Sequence, residues 1–255
     1  MSSYFYEKKQ EISKRAKIQF GIDNRLHDFE NTCLFVFAGA NQIKKNIGAM
    51  VDAFKLLNKP DHSALLLALK PNDCQIGTYK YVGEYDLQDF ASFPNIFIIN
   101  EPLADSAHAM IFKMADFLLY PSQGEAPGLQ MSEAQLCGTI PIATNYTGLP
   151  EETCFEEFML KDFVLHRGQF NCYRAIVSAE SLAEKMGDAL CFYKTLNGDD
   201  CEMKTAFLER YERFYEDVQR KFENRTWKQT ASELHEVFQS ILKKGLRIDM
   251  ELVKY

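Results

Sequence analysis

Short apolar runs alternate with amphipathic segments between residues 33 and 144. These runs have the length of strands, and continuous apolar runs are typical of parallel strands buried on both faces; they are residues 33–38, 65–69, 95–99, 117–120 and 139–144. Between the first two, residues 47–57 place apolar side chains at helical spacing. With a sixth strand predicted near residues 162–165, the pattern predicts one α/β domain, with a parallel sheet of about six strands flanked by helices.

Further helices are predicted at both ends of this region and within it: residues 6–20, 84–91, 105–115, 181–193, 199–221 and 226–243. Asp105 is expected to cap its helix. The last helix carries an apolar face that we expect to be buried, formed by Trp227, Leu234, Val237, Phe238 and Leu242. The chain is thus predicted to consist of an N-terminal helical or linker segment (1–30), a domain with a helical C-terminal end (31–243) and a tail (244–255).

The chemistry of the chain concentrates in residues 116–150. A buried strand is followed by a polar loop, a helix from Pro127 to about Cys137, and a second strand, which together form a parallel crossover unit. Proline suits the first helical position, because its missing N–H group costs nothing there. Gly138 is expected to end the helix in a left-handed conformation.

This crossover unit predicts a site for an anion that also carries hydroxyl groups. The N–H groups of Gly128, Leu129 and Gln130 are expected to point out of the helix N-terminus, where they and the helix dipole suit a phosphate. Glu125 precedes the terminus and Glu133 lies in the second turn. Ionised carboxylates only accept hydrogen bonds and sugar hydroxyls donate them, so the pair indicates a sugar-bearing ligand.

The same stretch resembles a known family. The strings E-A-P-G-L-x-x-x-E-A, C-G-T-x-P-I-A-T and T-G-L-P-E follow one another in order. They resemble the E-x7-E signature of retaining glycosyltransferases with the GT-B fold, in the donor-binding C-terminal half of that family. The two glutamates of the signature match Glu125 and Glu133. The resemblance implies a Rossmann-like domain that binds a nucleotide-diphosphate sugar, UDP- or GDP-linked, with no further cofactor.

The resemblance also implies roles for individual residues. Glu125 contacts hydroxyls of the donor sugar, and Glu133 accepts hydrogen bonds from the ribose. The backbone at Pro127, Gly128 and Leu129 receives the distal phosphate. Residues 100–103, represented by Asn100 and Leu103, lie against the nucleotide base.

The loop after the first strand supplies the other predicted donor contacts: Gly39, Asn41, Gln42, Lys44 and Lys45. Family members usually have a Gly-Arg pair here and a Lys followed by Asn or Gly further on, and these cations hold the diphosphate. Lys45-Asn46 matches the second part, so Lys45 joins Glu125 as an expected catalytic residue. Ala40 stands at the position of the usual Arg, which removes a bidentate contact of roughly 1.5–3 kcal/mol.

A GT-B enzyme has two such domains, and the resemblance covers only the donor-binding one. Three interpretations stay open: the donor-binding chain of a split transferase, a sugar-nucleotide-binding or interaction module without turnover, and a truncated part of a full enzyme. The expected partners are a nucleotide sugar and either a separate acceptor-binding chain or a second copy of this chain. A dinucleotide-dependent oxidoreductase is disfavoured, because residues 39–44 do not form a G-x-G-x-x-G motif.

Composition narrows the function classes. The net charge of −7 argues against a general nucleic-acid or anionic-membrane binder. Apolar runs of membrane-spanning length and an N-terminal signal sequence are lacking, which leads us to expect a cytoplasmic protein. Seven cysteines form no C-x-x-C pair, and the five histidines and the acidic residues show no metal-ligand spacing. No metal site is therefore predicted.

Overall fold

A six-stranded parallel sheet forms the centre of the fold. The computed structural model describes residues 4–19, 31–59, 61–70, 75–76, 79–80, 93, 95–168, 171–198, 201–223 and 225–244. In chain order the strands are β1 (Cys33–Ala40), β2 (Ser63–Lys70), β3 (Gln75–Ile76), β4 (Tyr79–Lys80), β5 (Ile96–Ile99), β6 (Phe117–Tyr120), β7 (Ile140–Thr144), β8 (Met159–Leu160), β9 (Val164–Arg167) and β10 (Tyr173–Ile176). The sheet order is β5-β2-β1-β6-β7-β8, and every neighbouring pair is parallel.

Helices flank this sheet: α1 (Tyr4–Gln19), α2 (Ile47–Leu57), α3 (Asp105–Met114), α4 (Leu129–Leu136), α5 (Leu149–Glu152), α6 (Ala179–Asn197), α7 (Cys201–Phe222) and α8 (Trp227–Lys244). Helix α2 packs against α6, and α1 packs against α3 and α7. The predicted fold class, a parallel sheet of about six strands with helices and a helical C-terminal end, is confirmed. Apolar side chains of β1 and β6 are buried throughout, as continuous apolar runs require.

The sixth strand differs from its prediction. Residues Met159–Leu160 pair with β7 and complete the sheet, whereas Val164–Arg167 pairs antiparallel with β10 in a separate hairpin. All four residues of β9 are exposed, because the apolar run passes at once into His166 and Arg167. The run therefore predicted a strand correctly but assigned it to the wrong sheet.

Two helix starts also differ. Asp105 is the first residue of α3, and Ala104 occupies the cap position. The Asp105 carboxylate therefore lies in the first turn, where its charge interacts favourably with the helix dipole but does not cap a backbone N–H group. Helix α4 begins at Leu129 with Gly128 as its cap, so Pro127 lies before the helix rather than at its first position. Gly138 has φ +77°, as predicted for the residue that ends this helix.

Buried lysines fasten α1 to the domain. Lys9 Nζ donates to the carbonyl oxygens of Phe112 (3.1 Å) and Lys113 (2.9 Å), which belong to the last turn of α3, and lies 3.1 Å from Thr139 Oγ1. Lys17 Nζ donates to Thr32 O at 3.1 Å. Cations are favoured at helix C-termini, where carbonyl groups lack helical partners. This basic N-terminal segment is therefore part of the packed structure.

The predicted buried face of the last helix is exposed. Trp227 has an exposed fraction of 83%, and Leu234, Val237 and Phe238 are half exposed or more. The prediction that these side chains pack on the domain is wrong. Leu242, the helix predicted at 84–91 and the tail from residue 245 lie outside the described side chains. Among the described residues, every helix is too short or too polar to cross a membrane.

The burial of Lys9 predicts a pH dependence of stability. Burial lowers the pKa of Lys9 to about 8, whereas an exposed lysine titrates near 10.5. Between these values the unfolded chain holds a proton that the folded chain has lost, so the charge-burial penalty disappears as pH rises. Relative to Lys9→Met, the wild type should gain about 2 kcal/mol in free energy of unfolding by pH 9.5, beginning near pH 8.

Urea unfolding of both proteins from pH 7 to 9.5 measures this difference. This range lies below the ordinary pKa of tyrosine. The other lysines contribute equally to the stability of both proteins, so their contributions cancel in the difference. Parallel stability curves for the wild type and Lys9→Met would show that the Lys9 ammonium is not held in a desolvated site.

The exposure of α8 gives a second prediction. Phe238→Ala should change the free energy of unfolding by less than about 0.5 kcal/mol, because its ring makes little contact with the domain. Phe214→Ala is the matched comparison, since Phe214 is only 2% exposed and truncation of a buried Phe costs about 3–5 kcal/mol. Chemical denaturation measures both, and a loss above 2 kcal/mol for Phe238→Ala would contradict the exposure of this face.

Candidate functional site

A cavity of about 450 Å³ opens at the carboxyl ends of β1, β2 and β6, where parallel α/β sheets bind ligands. Seven residues predicted from the sequence line it: Gly39, Lys45, Leu103, Glu125, Pro127, Leu129 and Glu133. The topology explains this convergence. Strands β1 and β6 are neighbours in the sheet, so the loops that follow them meet at one edge.

Lys45 and Glu125, predicted to contact different parts of a ligand, contact each other. Lys45 Nζ donates to Glu125 Oε1 at 2.6 Å and to Tyr120 Oη at 3.2 Å. The same ammonium group lies 5.1 Å from the centre of the Tyr120 ring. Ser122 Oγ lies 2.7 Å from Glu125 Oε1 and donates to it. We call these four residues the Lys45 cluster.

Backbone hydrogen bonds hold the two loops of this cluster together. Residues Ile43–Lys45 form a single 3₁₀ turn, and Asn46 follows in the left-handed conformation with φ 58°. The Asn46 side-chain amide donates to Val177 O at 3.1 Å, which anchors the turn. The N–H group of Gln123 donates to Lys44 O at 2.8 Å, which ties the loop after β6 to the loop after β1.

The backbone around Glu125 is fixed by the loop after β7. Glu125 N–H donates to Thr147 Oγ1 at 2.9 Å, and the N–H of Gly148 returns a bond to Glu125 O at 3.1 Å. Gly148 allows this close approach, since a Cβ atom there would lie 1.9 Å from Ala126 O. The T-G-L-P string therefore shapes the loop that presents Glu125.

Electrostatics decide the protonation states in the Lys45 cluster. Burial raises the pKa of Glu125, but hydrogen bonds from Lys45 and Ser122 and the charges of Lys45 and Lys44 outweigh it, and the net pKa lies below the ordinary value. Burial, reinforced by the charges of Glu125 and Glu133, raises the pKa of Tyr120. At neutral pH Glu125 is therefore an ionised carboxylate and Tyr120 a neutral hydroxyl.

The helix N-terminus offers fewer N–H groups than the sequence predicts. Leu129 N–H donates to Pro127 O at 3.0 Å in a tight turn, so the prediction of three outward N–H groups is wrong at Leu129. The N–H groups of Gly128 and Gln130 bond to no other described residue. Of these two residues only Gln130 lines the cavity, beside the N-terminus of α4.

The side-chain amide of Gln130 packs beside Gly39. Its Oε1 atom is buried without a hydrogen-bond partner among the described residues, as is Oδ1 of Asn41. A Cβ atom on Gly39 would lie 2.9 Å from Phe37 Cζ and 3.2 Å from Gln130 Nε2. Position 39 therefore has no room for a larger side chain, which supports the choice of this glycine as a site residue.

The cavity also carries acidic side chains besides Glu125. Glu133, Glu101 and Asp105 line it together with His108, whose Nδ1 lies 4.0 Å from Glu133 Oε2. The His108 ring packs edge-on against Phe112, with ring centres 5.0 Å apart. Carboxylates accept hydrogen bonds, so these side chains suit ligand groups with O–H or N–H donors. Among the described residues, no group of three or more acidic, His or Cys side chains could hold a metal ion.

Five predicted contacts do not line the cavity within the described part of the chain: Asn41, Gln42, Lys44, Asn100 and Gly128. Asn41 and Gln42 follow β1 directly, Lys44 contributes its carbonyl oxygen to the loop contact, Asn100 is exposed, and Gly128 is buried as the helix cap. These residues were predicted because they are close in sequence to residues that line the cavity, but closeness in sequence does not show which side chains face it.

Five lining residues lie outside every predicted contact: Ala68, Leu69, Asp105, His108 and Tyr120. Glu101 lies within the predicted loop 100–103, and Gln130 was predicted only through its backbone N–H group. Ala68 and Leu69 end β2, and Tyr120 ends β6, so a rule that the last residues of each parallel strand face the site would have found them. His108 lies one turn beyond Asp105 on α3, and no spacing pattern in the sequence identifies it.

Comparison with protein-family models shows which family the chain belongs to. The family model described as "Glycosyl transferases group 1" matches residues 22–161, more than half of the chain. This chain belongs to the group 1 glycosyl transferases. Its fold is the Rossmann-like half of a GT-B fold. No curated protein sequence matches the chain.

Solved structures agree with the fold. The sucrose-phosphate synthase of Thermosynechococcus elongatus is 19% identical with a TM-score of 0.61, over 90% of this chain and 49% of that one. A glycosyltransferase from Rickettsia africae is 17% identical with a TM-score of 0.56, over 84% and 48%. HepE from Anabaena, solved in complex with UDP and glucose, is 15% identical with a TM-score of 0.52, over 82% and 48%. This group 1 glycosyl transferase chain spans about half the length of these structures.

The close backbone approach at Gly148 predicts a large effect of a single methyl group. Gly148→Ala should destabilise the protein by at least about 1–3 kcal/mol, because the clash is with a backbone oxygen that cannot rotate away. The matched control is Gly187→Ala in α6, where the nearest atom to a new Cβ would be 3.9 Å away; this change should stabilise the helix by about 0.5–1 kcal/mol. Equal unfolding midpoints for the two variants would contradict the loop geometry.

Proposed function

We propose that this chain is the donor-binding half of a retaining glycosyltransferase that uses a nucleotide-diphosphate sugar, UDP- or GDP-linked. One observation carries the proposal: the strand-end cavity brings together a buried ammonium group, the N-terminus of a helix and several carboxylates. The ammonium group and the helix N-terminus suit a diphosphate, and the carboxylates suit hydroxyl groups.

Lys45 is proposed to meet the leaving diphosphate. Its ammonium group already bonds to Glu125 and Tyr120, and it is proposed to turn from Glu125 towards a phosphate oxygen when the donor binds. As the bond between the sugar and the diphosphate breaks, negative charge grows on the leaving oxygen. A fixed cation in a partly buried site stabilises that charge more than one in water.

The remaining contacts follow from the geometry of the cavity. The N–H groups of Gly128 and Gln130 are proposed to bind the distal phosphate. Glu125 accepts hydrogen bonds from donor-sugar hydroxyls, and Glu133 accepts them from the ribose. None of these residues is assigned as a covalent nucleophile. Retention of configuration at the reacting carbon of the sugar then requires the acceptor oxygen to attack from the same face of the sugar that the diphosphate leaves.

The acceptor-binding half is proposed to lie outside the residues of this domain, whether on the same or on another polypeptide. Two observations support this. The chain spans about half of its structural neighbours, and α8 exposes Trp227, Leu234, Val237 and Phe238 along one face. Exposed apolar faces of this kind mark interaction surfaces.

A second candidate function is a nucleotide-sugar-binding module without turnover. Position 40 carries Ala, and Lys45 is the one Lys or Arg among the described residues that line the cavity. A module that only binds the donor needs less charge at the diphosphate than an enzyme that must stabilise its departure.

Glu133 gives the direct test of the donor site. Glu133→Ala should weaken binding of the preferred nucleoside diphosphate by ~1–3 kcal/mol, the scale of a hydrogen bond to a charged group. Isothermal titration calorimetry with UDP and with GDP measures this, and Glu151→Ala, which removes an exposed acid outside the cavity, is the control. Unchanged affinity in folded Glu133→Ala would remove the ribose assignment. Activity with a nucleotide sugar and a supplied acceptor would separate the enzyme from the binding module.

A further inference from the structure

The Lys45 cluster joins two groups that the proposed function assigns to different parts of one ligand. Lys45 is assigned to the diphosphate and Glu125 to the sugar, yet their charged atoms lie 2.6 Å apart. The two side chains are 10% and 14% exposed. A contact this short and this well shielded is a strong, charge-assisted hydrogen bond.

The pairing lowers the attraction of Lys45 for phosphate. The Glu125 carboxylate cancels most of the ammonium charge as it is felt in the cavity, and a diphosphate oxygen that draws Lys45 away must compete with it. Any such movement leaves a poorly hydrated carboxylate short of a donor, and an unpaired buried charge is costly. Ser122 supplies one remaining hydrogen bond to Glu125, which does not replace a cation.

A sugar attached to the diphosphate removes this cost. Its hydroxyl groups can donate to Glu125 at the moment when Lys45 turns towards the phosphates. Binding of the two parts of the donor is then coupled through a single side-chain pair. A nucleoside diphosphate without the sugar also disturbs the Lys45–Glu125 pair, but it has no sugar hydroxyl groups that could donate to Glu125 in place of Lys45.

We infer that the Lys45–Glu125 pair makes this site select the loaded nucleotide sugar over the corresponding nucleoside diphosphate, so that the product is bound weakly once the sugar has left. The inference rests on the proposed function, because it requires a nucleotide sugar in this cavity. Glu125 is then a specificity-determining residue, because it weakens the binding of the diphosphate and strengthens the binding of the sugar.

Glu125→Gln separates this role from a simple binding contact. The variant keeps the shape of the side chain and removes its charge. Binding of the nucleoside diphosphate should tighten by about fivefold or more, since Lys45 is no longer neutralised. Binding of the nucleotide sugar should not tighten to the same extent, because Gln accepts fewer hydrogen bonds. The ratio of the two dissociation constants should therefore fall.

Calorimetry of UDP against UDP-glucose and of GDP against GDP-mannose measures the ratio in the wild type, Glu125→Gln, Ser122→Ala and Glu184→Gln. Glu184 is an exposed acid of α6 outside the cavity, so its variant controls for the change in net charge. Ser122→Ala should shift the ratio the opposite way, because Glu125 then depends more on Lys45. Each ratio compares two ligands on the same folded protein, so it does not depend on the yield of folded variant.

The outcomes separate the two proposals. If neither ligand pair binds the wild type, the proposed function fails and the inference fails with it; if ligands bind but Glu133→Ala leaves binding unchanged, only the ribose assignment fails. If ligands bind and Glu133→Ala weakens them, the donor site stands. A Glu125→Gln variant that weakens both ligands equally, or leaves the nucleoside diphosphate unchanged, then overturns the inference alone.

Discussion

A buried ammonium group has to be paired, and this requirement at Lys45 organises the loops at the carboxyl edge of the sheet. Its partners Tyr120 and Glu125 come from the end of β6 and the loop beyond it, while Lys45 itself follows β1. The adjacency of β1 and β6 makes the pairing possible, and the bond between Gln123 N and Lys44 O fixes it. The loops at the carboxyl edge of the sheet thus pack against each other through the same charged groups that form the site.

Much of this could be predicted from the sequence, since continuous apolar runs identify buried parallel strands whatever surrounds them. The misplaced elements depended on tertiary context. The 162–165 run is apolar enough for a strand, but only the observed pairing shows that β8 takes the sheet edge and β9 a hairpin. The apolar face of α8 follows helical spacing, yet spacing cannot show whether a surface exists for it to cover.

In the functional site, too, some features could be predicted from the sequence and others depended on tertiary context. The strings around Glu125 and Glu133 identified both ends of the crossover helix, and Lys45 followed from the loop after β1. The sequence did not reveal that Lys45 and Glu125 bond to each other, because that contact spans 80 positions. The Leu129 N–H was assigned outward on the general geometry of helix ends, and the local turn at Pro127 overrides that geometry.

The charge balance of the cavity bears on what the proposed acceptor-binding half would have to supply. Four lining carboxylates, Glu101, Asp105, Glu125 and Glu133, face one lysine, and Glu125 already neutralises that lysine. Ala40 adds no charge to the loop after β1. If the proposed function holds, a diphosphate is therefore attracted here mainly over short range, by Lys45 and the N–H groups of Gly128 and Gln130 at the start of α4. An acceptor-binding half that closes over this edge with cationic side chains would strengthen phosphate binding and exclude water together, since both effects depend on the same burial.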